Sequence, residues 1–393
     1  LIRHGQAEGN LYRRCHSWHN GLLTLKGREQ VKALEKRFEG VHFDAVYSSD
    51  LYRAMSTAGA IYRPRGLTLH VDPNLREIGA GIWEDVPWGQ LLHDHRDSLA
   101  AFLACNPSWQ VEGSETFPAV RQRIDQAIRR IAVAHPGQTV SVVSHGCAIR
   151  AGLSAFLGLA PGQMCQIPLG DNTSVARLEA ENGQIRVYRY NDESHLPNSD
   201  IPKASISYGI AGMERSALRF RPLRLPQEKA LYLAACEDSC ISFERSEPDN
   251  LLLALLGDHA AGVLQMNQAR EPEKGAGWIS LLWMTPKFCR KGFGVQLLGH
   301  AVCTYRAMGR QLLRLECPPG NSLLRRFCLS HGFVPAKNVD SQNVLEKYIG
   351  LDRRDLFESI LRDSGRSCHP SGRVHPLLFR HHSHQGQVWL VLR

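Results

Sequence analysis

Short aliphatic or β-branched runs alternate with segments of helical period along the first half of this chain, and three of those runs end on polar clusters. Leu1-Ile2 opens into Arg3-His4-Gly5, Val46-Tyr47 into Ser48-Ser49-Asp50 with Arg53 close behind, and Val142-Val143-Ser144 into His145-Gly146. Residues 27–38, 51–61, 118–134 and 147–157 carry helical spacing, and residues 43–47 and 139–143 read as strands. Strand–helix–strand order of this kind needs crossover connections, which predicts a mostly parallel sheet covered by helices on both faces. Two further strands near residues 173–178 and 185–190 complete this α/β unit. Such sheets bind ligands beyond the C-terminal ends of their strands, so the polar strand ends can converge on one anion.

Past residue 190 the periodicity fades into Asp, Ser, Pro, Asn and Gly, which predicts a linker over residues 191–216. A fresh alternation occupies residues 217–350: a helix at 227–237, a hairpin at 251–266, a strand at 277–284, a helix at 292–308, a strand at 311–317 and a helix at 321–331. A second α/β domain is expected, since 393 residues exceed what one hydrophobic core supports. The tail, residues 351–393, carries His381-His382-Ser383-His384 and scattered arginines without an apolar period; a poorly ordered extension is expected there rather than a metal-binding tract.

The formal charge of +9 is spread as pairs such as Arg13-Arg14, Arg129-Arg130 and Arg325-Arg326 rather than clustered. That pattern suits solvated faces and anionic substrates better than a nucleic-acid groove. No apolar run reaches the roughly twenty residues that span a bilayer, so no membrane partner is expected. The eleven cysteines are widely spaced without a CxxC pair, which fits a reduced, cytoplasmic setting and offers no zinc-type ligand pairs.

Phosphoryl transfer without a metal needs a nucleophile that stays unprotonated near neutral pH, cations on the non-bridging oxygens, and an acid for the leaving alkoxide. The first unit supplies each. An imidazole among arginines is disfavoured as a cation, so His4 suits the nucleophile, and the planar fork of arginine matches phosphate oxygens two at a time.

The segments Leu1-Ile2-Arg3-His4-Gly5-Gln6-Ala7-Glu8-Gly9-Asn10, Leu23-Thr24-Leu25-Lys26-Gly27, Ser48-Ser49-Asp50-Leu51-Tyr52-Arg53-Ala54, Leu75-Arg76-Glu77-Ile78 and Val143-Ser144-His145-Gly146 arrive in order. Through them residues 1–190 resemble the histidine phosphatase superfamily, with its three-layer, phosphoglycerate-mutase-like fold. The resemblance implies that His4 becomes a phosphohistidine while Arg3, Arg53 and His145 hold the phosphoryl oxygens, with Asn10 a further contact. It implies that Glu77 protonates the leaving oxygen and then takes a proton from water. Glu84 and Glu115 are rival carboxylates, read as loop-fixing or capping residues, and Asp85 stands where the family often has Gly. Hydrolysis is expected over phosphoglycerate isomerisation, because about 190 residues leave little room for the enclosing loops of a mutase. Residues 87–111, with Trp88, Leu91, Leu92, His93, Phe102 and Trp109, form the expected lid.

In the second unit, Met284-Thr285-Pro286-Lys287-Phe288-Cys289-Arg290-Lys291-Gly292-Phe293-Gly294 joins a strand to a helix through a basic, glycine-containing turn suited to a pyrophosphate. With the strand and helix that follow, residues 217–350 resemble the GNAT-type N-acetyltransferases. The resemblance implies acetyl-CoA as cofactor and an unknown amine as acceptor. Lys291, Gly292, Phe293, Gly294 and Val295 would cradle the phosphates, Arg290 would keep the site cationic, the backbone of Leu282 and Met284 would pair with the pantetheine arm, and Asn321 would touch the cofactor. Two departures stand out: Cys289 replaces the usual Arg or Gln, and Cys328 replaces a general-acid Tyr. The sequence is thus read as a bifunctional phosphatase and N-acetyltransferase, with no metal in either site. The alternatives are a phosphatase whose second domain only senses acyl-CoA, a phosphoglycerate mutase, and a basic nucleic-acid-binding protein.

Overall fold

The computed structural model describes residues 1–197, 209–240, 250–336 and 343–351, together with a short strand at 388–389. The N-terminal unit runs β1 (Ile2–Arg3), α1 (Glu8–Tyr12), α2 (Leu25–Arg37), β2 (Ala45–Ser48), α3 (Tyr52–Tyr62), β3 (Leu69–Val71), α4 (Trp88–Asp94), α5 (Arg96–Leu103), α6 (Phe117–Ala134), β4 (Val140–Ser144), α7 (Gly146–Phe156), β5 (Val175–Glu181) and β6 (Gln184–Asp192). Its sheet has β3, β2, β4 and β1 in parallel, then β5 and β6 antiparallel, as the mostly parallel prediction requires. Helix α6 shows why the sequence covers the sheet. Thr116 caps it by accepting from the Ala119 N–H, and Val120, Ile124, Ala127, Ile128 and Ile131 form one buried stripe.

The second unit runs α8 (Ile210–Glu214), β7 (Arg219–Pro222), α9 (Lys229–Asp238), β8 (Leu251–Leu256), β9 (His259–Asn267), β10 (Ala276–Met284), α10 (Gly294–Ala307), β11 (Leu312–Glu316), α11 (Ser322–Ser330), β12 (Val334–Pro335) and β13 (Val344–Tyr348). Its sheet order is β12-β13-β11-β10-β9-β8-β7, with β10 and β11 the parallel pair. That pairing ends at Ile279↔Leu315, after which a bulge lets β10 continue beside β9 alone as far as Met284↔Gly262. The two parallel strands therefore splay apart.

Several elements escaped the sequence reading. Helix α1 and strand β3 are too short for periodicity, and α4 and α5 break the segment read as a lid. Part of the predicted linker is also structured. Met213 of α8 and Ala217 are buried in the N-terminal core, beside Phe117, because the chain turns back across the first unit before β7 begins. Most of the tail, including the histidine tract, lies outside the described residues, but β14 (Val388–Trp389) pairs antiparallel with β3.

Helices α1 and α10 join the two units. Gly299 leaves room for the Tyr12 ring, where an added Cβ would come within 2.3 Å of it. Arg306 of α10 forms a two-pronged ion pair with Glu8, at 2.9 and 3.1 Å, and both side chains are at least 93% buried. Gln296 accepts from the Leu218 N–H and donates to the Ser216 carbonyl. Replacing Arg306 with Met strands the Glu8 carboxylate in this interface and is expected to cost about 3 kcal/mol. Urea unfolding should register the loss as a lower first midpoint; an unchanged midpoint would contradict this account of the interface.

Candidate active site

Strand register brings the predicted phosphate residues together. Arg3 pairs with Ser144, so His4 and His145 leave adjacent parallel strands side by side, and their ring centroids lie 5.1 Å apart. Ser48 pairs with Val143 on the other flank of β4, which delivers Ser49 and then Arg53 to the same edge. Arg3, His4, Asn10, Arg53 and Glu77 all line one cavity of about 220 Å³.

The ring of His4 has a defined tautomer. Its Nδ1 lies 2.7 Å from the Gly5 carbonyl oxygen, which can only accept, so Nδ1 carries the proton and Nε2 holds the free lone pair. Burial first, then the Arg53 and Arg3 charges, hold its pKa well below 6.5. His145, buried beside it, is lowered in the same way, by burial and then by Arg53. Its Nε2 meets the Ser49 hydroxyl at 2.7 Å, while its Nδ1 has no hydrogen-bond partner among the described residues. Arg3 donates to the Gly170 carbonyl, and Arg53 donates to the carbonyls of Ser17 and His19. Burial lowers Arg53 to about 10, which leaves it charged at neutral pH.

Glu77 accepts from the Cys147 and Ala148 N–H groups at the start of α7, at 3.0 and 2.9 Å, and from its neighbour Ile78. The rival carboxylates are occupied elsewhere. Glu84 ties down the N–H groups of Trp18, His19 and Ala80, while Glu115 pairs with Arg123 and accepts from Gly79. Asn10 accepts from the Ala7 N–H, which caps α1, and from Asn172. Asp85 adopts a left-handed backbone at φ 59°, a conformation that Asp tolerates, so the loop keeps the shape a glycine would give. Its carboxylate sits among Arg14, His16 and His19, with Arg14 Nε at 2.6 Å. Within the expected lid, Trp88 and Phe102 line the cavity, while Leu91 and Trp109 are buried in the core beneath.

Sequence reasoning missed Thr57, which accepts from the Gly5 N–H and donates to the Arg53 carbonyl, and Asn172, which donates to the His4 carbonyl. Neither carries a local motif. Ser49 lay inside a quoted segment, but its contact with His145 depends on register.

In the second unit, the splay of β10 from β11 leaves one backbone edge of residues 280–284, including Leu282 and Met284, without a strand partner among the described residues. Among the described residues, the N–H groups of residues 290–295 meet no backbone carbonyl, and they precede or open the 14-residue helix α10. Arg290 and Gly292 have positive φ, and a Cβ on Gly292 would meet nothing within 4 Å, so the turn stands clear of the protein. An open strand edge beside a basic helix N-terminus fits an extended amide arm ending in a pyrophosphate. Asn321 caps α11 by accepting from the Leu324 N–H. Cys328 is fully buried beside Leu315 and Phe333, and burial raises its thiol to about 12, so it packs as an apolar residue.

Residues 1–193 match the family model of the histidine phosphatase superfamily (branch 1), and residues 216–333 match that of the acetyltransferase (GNAT) family. Among curated proteins, phosphoserine phosphatase 1 of Hydrogenobacter thermophilus is 26% identical over 50% of this chain and 92% of its own length. The adenosylcobalamin/alpha-ribazole phosphatase of Escherichia coli is 31% identical over 40% of this chain and 78% of its own. A probable phosphoglycerate mutase of Cronobacter sakazakii is 28% identical over 46% and 83%. Among solved structures, Bacillus stearothermophilus YhfR is 31% identical, covers 50% of this chain and 96% of its own, and superposes with a TM-score of 0.48.

The lowered imidazoles set a pH dependence. Below pH 6.5 the unfolded chain takes up protons on His4 and His145 that the folded state refuses, so stability falls with acidification by about 1.4 kcal/mol per pH unit for each imidazole, down to the folded pKa. Nitrogen-15 NMR at pH 6.5 should find His4 neutral, with its proton on Nδ1; an imidazolium signal would contradict the geometry.

Proposed function

Because the chain belongs to the histidine phosphatase superfamily (branch 1) through residues 1–193 and carries a GNAT-family domain over residues 216–333, we propose that it is a bifunctional enzyme. Its first domain would hydrolyse a phosphomonoester through a phosphohistidine on His4, without a metal. The orientation of His4 carries this reading: the Gly5 carbonyl holds Nδ1–H and leaves Nε2 as the nucleophile.

Nε2 of His4 attacks phosphorus as the bond to the leaving oxygen breaks, and Glu77 gives that oxygen its proton. The negative charge on the transferring group is met by Arg3, Arg53 and His145, placed in advance by backbone acceptors and by Ser49. Water then attacks the phosphohistidine, its proton passes to Glu77, and inorganic phosphate leaves with His4 restored. The two arginines supply the positive charge that a metal would otherwise bring, and the neutral His145 adds hydrogen bonding. The relatives include proteins named as phosphatases and as probable phosphoglycerate mutases. Hydrolysis is the preferred reading, because the unit of about 190 residues has little chain left to enclose an intermediate that must return its phosphoryl group.

For the second domain we propose acetyl-CoA as ligand, with residues 290–295 around the pyrophosphate and residues 280–284 along the pantetheine arm. When bound, acetyl-CoA supplies an activated acetyl thioester; the chain's own part is to align the arm on β10 and to offer N–H donors at α10. A second reading, in which this domain binds acyl-CoA and regulates the phosphatase, is favoured by the core position of Cys328 and by the Glu8–Arg306 pair that ties α10 to the helix after His4.

With p-nitrophenyl phosphate in excess chelator, the protein should turn over, and His4→Ala should reduce the rate roughly a thousandfold or more. Activity that requires added metal would overturn the mechanism. Calorimetry should detect acetyl-CoA binding that Gly292→Val weakens by distorting a φ of 81°. Release of free CoA with a panel of amines would support acetyl transfer, whereas binding without release, coupled to a changed phosphatase rate, would support the regulatory reading.

A further inference from the structure

Gly299, Cys303 and Arg306 follow one another at single-turn spacing on one face of α10, and that face packs against the first unit: Gly299 against Tyr12, Arg306 against Glu8. Cys303 lies between those two contacts and is 4% exposed. There it meets two side chains that arrive from separate loops of the first unit, His16 and Asp85. One nitrogen of His16, a carboxylate oxygen of Asp85 and the Cys303 sulfur lie within 4.8 Å of one another. His16 Nε2 is 3.1 Å from Asp85 Oδ1, and His19 Nε2 approaches Oδ2 of the same carboxylate at 3.9 Å. That His19 nitrogen is buried and has no hydrogen-bond partner among the described residues; the same is true of Nδ1 of His300, one turn before Cys303. A buried cluster of two imidazoles, a carboxylate and a thiol, with a ring nitrogen left unsatisfied, has the composition of a metal site rather than of an ordinary packed interface.

We infer that His16, His19, Asp85 and Cys303 form a structural site for a zinc-class divalent cation at the junction of the two units. The donor set decides the class of metal: imidazole and thiolate suit zinc, whereas magnesium and calcium take oxygen ligands. Zinc held tetrahedrally at about 2.0–2.3 Å puts its donor atoms about 3.3–3.5 Å apart, so the observed spacings need to close by little more than about 1 Å. Cys303 loses its proton to solvent as the sulfur binds, and thiolate and carboxylate together balance the charge of the ion. Arg14 Nε occupies Asp85 Oδ1 at 2.6 Å and leaves Oδ2 turned toward His19, which makes it the outer partner that orients the carboxylate. Four protein donors leave no open position, so the ion holds structure and takes no part in phosphoryl transfer at His4. Its effect still reaches the phosphate site, because the loop that carries His16 and His19 also supplies the Ser17 and His19 carbonyls to Arg53. The donors come from both units, so neither unit alone holds the complete site.

Cobalt(II) is the probe, because a thiolate on tetrahedral cobalt gives a near-ultraviolet charge-transfer band that nitrogen and oxygen ligands do not. The full chain, stripped of metal, should bind one equivalent of cobalt with that band, and zinc should displace it. Histidines elsewhere, such as those at 381, 382 and 384, bring no sulfur and cannot produce the band. Cys303→Ser should abolish the band, and both Cys303→Ser and His19→Gln should weaken cobalt binding at least about tenfold. Zinc should also raise the thermal midpoint of wild type, and by less in each variant. Absence of the band in wild type, a band that persists in Cys303→Ser, or an unchanged cobalt affinity in His19→Gln would overturn the inference. Should Cys303→Ser fail to fold, the wild-type spectrum and His19→Gln, at a side chain 30% exposed, still decide it.

Discussion

Parallel pairing of β1 with β4 is the constraint on which the rest of the candidate site depends. Two residues of β1 meet Val143 and Ser144, and that short register decides that His4 and His145 emerge together rather than on opposite faces. Pairing of β4 with β2 then sets Ser49 against His145. A slip of one residue in either ladder would turn these side chains away from the common edge.

Once the residues converge, the electrostatics follow from how their polar atoms are satisfied. The Gly170 carbonyl accepts from Arg3 and those of Ser17 and His19 accept from Arg53, neutral acceptors that orient the guanidinium groups without cancelling their charge. That charge and the burial of the site keep the imidazoles neutral. Glu77 is held by N–H donors at the start of α7, the helix that also presents Arg150 to the cavity. One helix thus fixes a carboxylate with its first turn and carries a cation farther along.

The interface between the units lies close to this chemistry. Helix α10 starts at the turn suited to a pyrophosphate and ends at Arg306, which grips Glu8, four residues after His4. Met213 reaches the cavity from the connecting segment. A change in either domain therefore bears on helix α1 or on the cavity wall through contacts that are buried and specific.

Much of the fold was readable from the chain because its strands and longer helices carry strong periodicity: the buried stripe of α6, the aliphatic β4 and the strand-turn-helix at β10 and α10 all stand where spacing put them. His4, the arginines and Glu77 were readable as a candidate set because each follows a strand end or sits in a recognisable motif. Sequence alone thus determined the α/β class, the two-part organisation and the residue types available for phosphate. Only the tertiary structure decided which lone pair of His4 is free, that Glu84 and Glu115 are spent on other groups, that Cys328 is packed away, and that Arg150 has Cys105 as its hydrogen-bond partner among the described residues. Those facts depend on partners distant in sequence, such as Asn172 for His4 and Cys105 for Arg150. Local spacing specifies which face of an element is buried; it carries no information about which polar atom waits on the other side of the cavity.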